Sequence, residues 1–318
     1  MKINIRKEIA ELSDEIYYYR RHFHKYPELS FKEFKTAETI SKYLKEFGIK
    51  HKKNVGKTGV VGEIYFGPGP TIALRADMDA LPIQEKGSLD YKSRNDGVMH
   101  ACGHDGHMAI LLGVAKSLSK NNRIKRGTVK FIFQPAEEGG GGARYMIEDG
   151  CLNGVDEIYG LHLWNYQKYG EVGLKTGPVM ASADIFEIEI LGKGGHGAAP
   201  QGTVDAIVVA SHLITILQTV VSRNTNPLEN TVLTIGKIKG GENFNVISDN
   251  VIMYGTTRAY SEQNRQMIKK RMEEIIEGVS NSFNAIIKIK YKEGYPPTVN
   301  HDLPVKNVLL AVHVQIVQ

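Results

Sequence analysis

The chain has 318 residues, enough for two ordinary domains, and its 42% hydrophobic content can supply a sizeable core. Lys and Arg number 40 against 35 Asp and Glu, mixed together in stretches such as "IKKRMEEIIEG", so the net charge of +5 reads as a solvated face and argues against a nucleic-acid partner. Only two cysteines, Cys102 and Cys151, argue against a disulfide framework. With no apolar leader and no stretch expected to approach the ~18 apolar residues of a membrane span, they point to a cytoplasmic protein that engages no membrane.

In chain order, two amphipathic helices are expected over roughly residues 4–24 and 32–47, broken by Pro27. "GVVGEIYF" and "TIALRAD" read as strands on either side of the turn "GPGP". A helix follows "CGHD", with Ile110, Leu111, Val114 and Leu118 on its apolar face and Asp105 as its expected N-cap. "TVKFIFQ" is a strand, "ARYMIEDG" builds a helix, and "EIYGLHL" is a third apolar run, so strands alternate with helices in an α/β layer architecture. The run "GGGG" at 139–142 is not followed by the Lys and Ser or Thr of a phosphate loop.

From about Ser182 the pattern changes. Strand "DIFEIEILG", helix "VDAIVVASHLITILQTVVS", strands "NTVLTIGKIKGG" and "NVIMYGTTRAY", helix "EQNRQMIKKRMEEIIEGVSNSF" and strand "AIIKIKYKEG" follow in the order β-α-β-β-α-β. That is the ferredoxin-like unit. The expected organisation is a first domain over 1–183, a compact inserted domain over 184–294, and a segment 295–318 that returns to the first.

In α/β sheets, ligands bind beyond the carboxyl ends of the strands. The unusual polar residues fall there: Asp77 and Asp79 after "TIALRA", Glu137 and Glu138 after "TVKFIFQPA", His162 in "EIYGLHL", and Cys102, His104 and Asp105 before a helix. A thiolate, imidazoles and carboxylates suit zinc or another first-row divalent ion, and of two adjacent glutamates one can bind metal while the other acts as a general base. Two other readings of "MHACGHDGHM" stay open at this point. Cys102 could be a nucleophile with His104 or His107 as its base, or the stretch could be a polar turn capping a helix. His22, His24, His51, His212, His301 and His313 lie outside the convergence and read as structural or surface residues.

Ten ordered motifs, "RRHFHKYPELSFKEFKTA", "GKTGVVGEI", "LRADMDALPI", "MHACGHDGHMAILLGVA", "FIFQPAEEGGGGA", "GLHLW", "GGHGAAP", "FNVISD", "GTTRAY" and "YPPTVN", resemble those of the metal-dependent N-acyl-amino-acid amidohydrolases. These include hippurate hydrolases and auxin-conjugate hydrolases, relatives of aminoacylase and glutamate carboxypeptidase. The resemblance implies a di-metal exopeptidase-type catalytic domain with an inserted ferredoxin-like domain that serves as lid and makes a homodimer. It also implies two divalent ions drawn from Zn, Mn, Co or Ni. By motif, Cys102, His104, Glu138 and His162 resemble the metal ligands, Glu137 the general base, and Asp79 a carboxylate that orients a ligand from behind. His196 resembles the residue that stabilises the oxyanion in the partner subunit's site, and Asn245 and Arg258 the donors for the substrate's free carboxylate.

The implied reaction is hydrolysis of the amide bond of hippurate-like N-acyl amino acids. Water activated at the metal centre attacks the carbonyl, and Glu137 takes its proton and returns it to the leaving amine. Two departures stand out. Ser248 replaces the proline of the family's N-x-I-P-D pattern, which should loosen the loop holding Asn245. The family pattern also runs on past "YPPTVN", through a "SEDF"-like segment to a late histidine ligand, whereas this sequence ends at Gln318 without it and reads as cut short. The alternative expectation is therefore an impaired member of the family that retains only lid dimerisation and carboxylate binding.

Overall fold

The structure is a computed structural model that describes residues 7–121 and 123–311, so His313 lies outside the described residues. The chain forms two compact units that divide between Gly173 and Leu174.

The first unit contains helices α1 (Lys7–Ala10), α2 (Ser13–Lys25) and α3 (Phe34–Glu46), then strands β1 (Lys50–Val55), β2 (Gly59–Gly67) and β3 (Thr71–Asp77). Helix α4 (His104–Ser119), β4 (Gly127–Gln134), α5 (Gly142–Glu148) and β5 (Glu157–Gly160) complete it. The sheet order is β1-β2-β4-β3-β5. β4, β3 and β5 run parallel, and β2 is antiparallel to both β1 and β4. Strand β1, "KHKKNV", carries no apolar alternation, which is why it escapes sequence reading; it is the sheet's exposed edge.

Alternation along β4 sets the layers, because successive side chains leave opposite faces of a strand. Phe131 and Phe133 pack with Phe23, Ile40, Leu44, Met108 and Leu112 from α2, α3 and α4, while Ile132 faces Met146 and Cys151 on the other side. Each fully buried large side chain contributes about 1.5–3 kcal/mol. The three parallel strands thus end side by side, and the segments that follow them carry Asp79, Glu137, Glu138 and His162.

The second unit contains β6 (Gly177–Met180), β7 (Asp184–Leu191), β8 (Gly195–His196), α6 (Ala206–Thr219), β9 (Thr231–Gly240) and β10 (Val246–Ile247). It continues with β11 (Asn250–Ala259), α7 (Glu262–Phe283), β12 (Ile286–Lys292), β13 (Thr298–Asn300) and α8 (Asp302–Ala311). Its four-stranded antiparallel sheet has the order β12-β7-β11-β9, the ferredoxin-like arrangement, with α6 and α7 packed on Phe186, Ile188, Ile190, Val251 and Met253. β13 pairs with β6, so the chain after residue 295 meets the strand that precedes the ferredoxin-like motif.

One sequence expectation is corrected here. The stretch Ala206–Asn224 is long and apolar enough to cross a membrane by composition, with mean hydropathy 1.5. Its Val209, Ala210, Leu213, Leu217 and Val220 are buried against the sheet at helical spacing, which accounts for the apolar content within the fold.

Candidate metal centre

Helix α4 begins at His104 behind Gly103, whose φ of +85° only glycine adopts without strain. Asp105 is not the N-cap that sequence reading expected, since no side chain caps this helix. It lies within the first turn and turns inward, where its Oδ2 sits 2.9 Å from His24 Nδ1 and 3.3 Å from Arg20 Nε. His24 in turn reaches Glu85 Oε1 at 3.2 Å, a buried role consistent with its reading as structural.

This start aims His104 at the strand ends. His104 Nδ1 lies 2.8 Å from the backbone oxygen of Asp79, which leaves Nε2 to face Glu138 Oε1 at 3.8 Å and Glu137 Oε2 at 3.9 Å. Asp79, itself buried, receives the backbone N–H of Glu137 on Oδ1 at 2.8 Å and that of Glu138 on Oδ2 at 3.0 Å, and the Ser30 hydroxyl donates to Oδ2 at 2.7 Å. The Cys102 Sγ is 3.5 Å from His162 Nε2, and His162 Nδ1 donates to the oxygen of Leu163 at 2.7 Å. Cys102, His104 and His162 form one set of donor atoms within 4.8 Å of one another, and His104, Glu137 and Glu138 form a second.

His104 Nε2 and Glu138 Oε1 are buried and have no hydrogen-bond partner among the described residues, which buried polar atoms rarely tolerate. Both aim into the donor cluster, so the residues fit a divalent ion of the borderline-soft class. Charge supports the same fit. Burial works against a positive His104, yet hydrogen bonding and the carboxylates of Asp79 and Asp77 outweigh it and push its pKa up to about 11. The same carboxylates favour a bound cation, to which a ligating His104 would give up that proton. Burial pushes the His162 pKa down, leaving a neutral imidazole able to ligate. Burial and the neighbouring charges of Glu138 and Asp77 push the Glu137 carboxyl up, toward the range of a working base.

Sequence reading gives Asp77 no particular role and His107 only that of a possible base for Cys102. Asp77 accepts from Arg75 Nη1 at 2.8 Å and lies 2.6 Å from His107 Nδ1; although burial opposes its charge, these partners hold its carboxyl well below the usual range. The Arg-x-Asp spacing in "LRAD" was the available signal, since residues two apart share a strand face. His107 has both ring nitrogens engaged, so it is not a base for Cys102.

His196, Asn245 and Arg258 lie in the second unit. β8 and β10 pair His196 with Val246, and Gly197 donates to the Asn245 oxygen at 2.8 Å, so His196 and Asn245 meet at one end of this unit. Arg258 stands eight residues along β11 from Asn250, roughly 25 Å at the usual strand rise, and is held by the Thr256 hydroxyl and the Thr257 oxygen. Ser248 does not leave the loop loose as its sequence position suggested. Its hydroxyl donates to the Asn250 oxygen at 2.7 Å and accepts from Gly241 N at 3.2 Å, pinning by hydrogen bonds what a proline pins by fixed φ.

The sequence pattern of Peptidase family M20/M25/M40 matches residues 73–316. The chain is 48% identical over 295 residues to the N-acetyl-L-cysteine deacetylase of Bacillus subtilis (strain 168), covering 92% of this chain and 71% of the relative. It is 42% identical over 303 residues to the N-acyl-L-amino acid amidohydrolase of Geobacillus stearothermophilus, covering 95% and 82% of the two. Among solved structures it resembles the YXEP protein of Bacillus subtilis, described as a dinuclear metal binding peptidase of the M20 family. There the TM-score is 0.84 and identity 37%, over 97% of this chain and 82% of that one. The chain belongs to peptidase family M20/M25/M40. It is a hydrolase of the amidohydrolase and peptidase class, built on that family's α/β fold.

Proposed function

We propose that the protein hydrolyses the amide bond of N-acyl amino acids at a centre of two divalent ions, releasing a carboxylic acid and a free amino acid. The observation that carries this reading is the orphaned pair His104 Nε2 and Glu138 Oε1 beside Cys102 and His162, in a chain similar to a deacetylase and an amidohydrolase of acylated amino acids. Cys102, His104, Glu138 and His162 would hold the ions, which when bound acidify water and polarise the substrate carbonyl.

Glu137 accepts the proton of the attacking water and delivers it to the leaving nitrogen, a task its raised pKa suits. Asp79 keeps Glu137 and Glu138 in register through their backbone N–H groups. We assign His196 to the developing oxyanion and Asn245 and Arg258 to the free carboxylate, which a guanidinium matches in shape; because Asn245 and Arg258 stand far apart within one chain, a homodimer would supply one from each copy.

A homodimer through the second unit is supported by its apolar surface, Ile207, Val208 and Ile216 on α6 and Val232 and Ile238 on the edge strand β9. A cytoplasmic setting is supported by two free thiols, Cys102 and Cys151.

The test is to strip the protein with a chelator, reload it with zinc, manganese, cobalt or nickel, and follow amine release from hippurate and N-acetylcysteine. Release that depends on the added metal is expected. Turnover that survives chelation and is lost on alkylation of Cys102 would instead establish a thiol hydrolase and overturn the proposal.

A further inference from the structure

A buried carboxylate outside the donor cluster governs the corner on which two of its members stand. Glu33, just ahead of α3, has 0% exposure. Its Oε1 accepts the backbone N–H of Ala136 at 2.8 Å, and its Oε2 accepts the Thr58 hydroxyl at 2.6 Å. Ala136 has a φ of +50°, a left-handed conformation that residues bearing a Cβ seldom adopt and that persists only where surroundings enforce it.

The next two amides, of Glu137 and Glu138, end on Asp79, so three successive N–H groups are received by two buried carboxylates. One short segment supplies both holds, since Ser30 donates to Asp79 and Glu33 lies three residues on. The glycine run completes the corner. Gly142 N donates to the Ala136 oxygen at 3.1 Å, a Cβ at Gly142 would lie 1.8 Å from the Pro135 oxygen, and one at Gly140 would lie 2.6 Å from the Ala136 Cβ. Gly140 and Gly142 are therefore packing requirements of this turn, while Gly139 and Gly141 meet nothing within 4 Å and serve through their positive φ of +137° and +70°.

We propose that Glu33 is a positioning residue for the metal centre: by holding Ala136 in its left-handed turn it sets where Glu137 and Glu138 leave the chain. The proposal rests on the reading that Glu138 ligates metal. Asp79 alone cannot do the same work, because its two bonds fix the amides that follow the turn and leave the turn itself free. A carboxylate that merely satisfied a buried amide would change the melting temperature and leave the folded protein's metal affinity as it was.

Reach and charge separate cleanly at this position. Glu33→Asp keeps the charge and draws the acceptor back by one methylene, whereas Glu33→Gln keeps the reach and an amide oxygen for Ala136. The Thr58 hydroxyl, which donates to Oε2 in the native protein, can turn to accept from the new amide nitrogen, so the amide keeps both partners. Stripped protein is titrated with Co(II), following the absorption of the cobalt–thiolate centre, at a temperature where melting curves show each variant folded.

Glu33→Asp is expected to weaken Co(II) binding by about 10- to 100-fold, the usual effect of losing a residue that supports a ligand, with Glu33→Gln close to the parent. Parental affinity in Glu33→Asp, or equal weakening in both variants, overturns the proposal. If Glu33→Asp does not fold, Thr58→Val, which removes only the hydroxyl steadying Oε2, is expected to weaken binding several-fold, and parental affinity there overturns it equally. Glu138→Gln is titrated in parallel. Parental binding by that variant brings down the ligand reading itself, while weak binding by it beside a parental Glu33→Asp brings down this inference alone.

Discussion

The backbone N–H of Leu163 donates to His107 Nε2 at 2.8 Å, tying the residue next to His162 onto helix α4 beside His104. Because Nε2 accepts, the ring proton sits on Nδ1, which faces Asp77 Oδ1 at 2.6 Å. Two donor residues brought by separate elements, His162 and His104, are thus held in register by one buried imidazole. His107→Ala should weaken divalent-metal binding by about 10- to 100-fold in an equilibrium titration, as expected for a group that orients ligands. His107→Gln, whose amide oxygen reaches the Nε2 position, should recover much of that loss. Equal loss in both variants would show that the bond to Asp77, and not the hold on Leu163, is what matters.

Glu137→Gln keeps the shape of the side chain and removes its basicity. Turnover of N-acyl amino acids should fall by about 10²–10⁴, the range for a lost general base, with metal content per chain unchanged by elemental analysis. Surviving turnover would move the base role away from Glu137.

His196→Ala should lower kcat by about 10²–10³ with a smaller change in KM, since an oxyanion donor acts mainly on the transition state. Arg258→Ala should instead raise KM for substrates with a free carboxylate and abolish discrimination against their amides. Steady-state kinetics on hippurate and its amide separate the two. Matching effects of both substitutions on KM alone would refute this division.

The second unit carries its own pH sensor of stability. Asp184, with 0% exposure, accepts from Arg265 Nε at 2.9 Å and Nη2 at 2.6 Å, from Gly294 N at 2.8 Å and from the Tyr291 hydroxyl at 3.0 Å. Burial opposes its charge, but the Arg265 guanidinium and these donors hold its carboxyl below the ordinary range. A depressed folded-state value means the stabilisation is present above the unfolded value of about 3.9 and is lost as pH falls through the folded one. Asp184→Asn should cost about 3–5 kcal/mol at neutral pH by leaving Arg265 buried without its partner. It should also flatten the acid limb of stability measured by denaturant melts between neutral pH and pH ~2. An unchanged limb would assign acid sensitivity to other carboxylates.

Much of the architecture was legible because local pattern and tertiary role agreed. Strict alternation in "DIFEIEIL" became β7 with Phe186, Ile188 and Ile190 inward, and the order of elements became the β12-β7-β11-β9 sheet. Donors following parallel strands were legible for the same reason, since strand ends can be found from sequence and the sheet then aligns them. Strand β1 escapes sequence reading because it has no apolar face to read, and the length of the apolar run at Ala206–Asn224 is underestimated because Ser211, His212, Thr215 and Gln218 interrupt it, although the helix itself is legible.

The sequence by itself determined which residue types could meet a metal ion: a cysteine, histidines and paired glutamates at the ends of predicted strands, each necessary to the chemistry and recognisable as a type. Only the tertiary structure decided who holds them. Glu33 receives Ala136, 103 residues away; His107 receives Leu163, 56 residues away; and Asp79 receives Glu137 and Glu138, 58 and 59 residues away. Each acceptor meets a backbone N–H, which every residue but proline offers alike, so no side-chain pattern announces the pairing. Buried polar groups must find partners, and which partner lies within reach is settled only when the sheet and helices have packed.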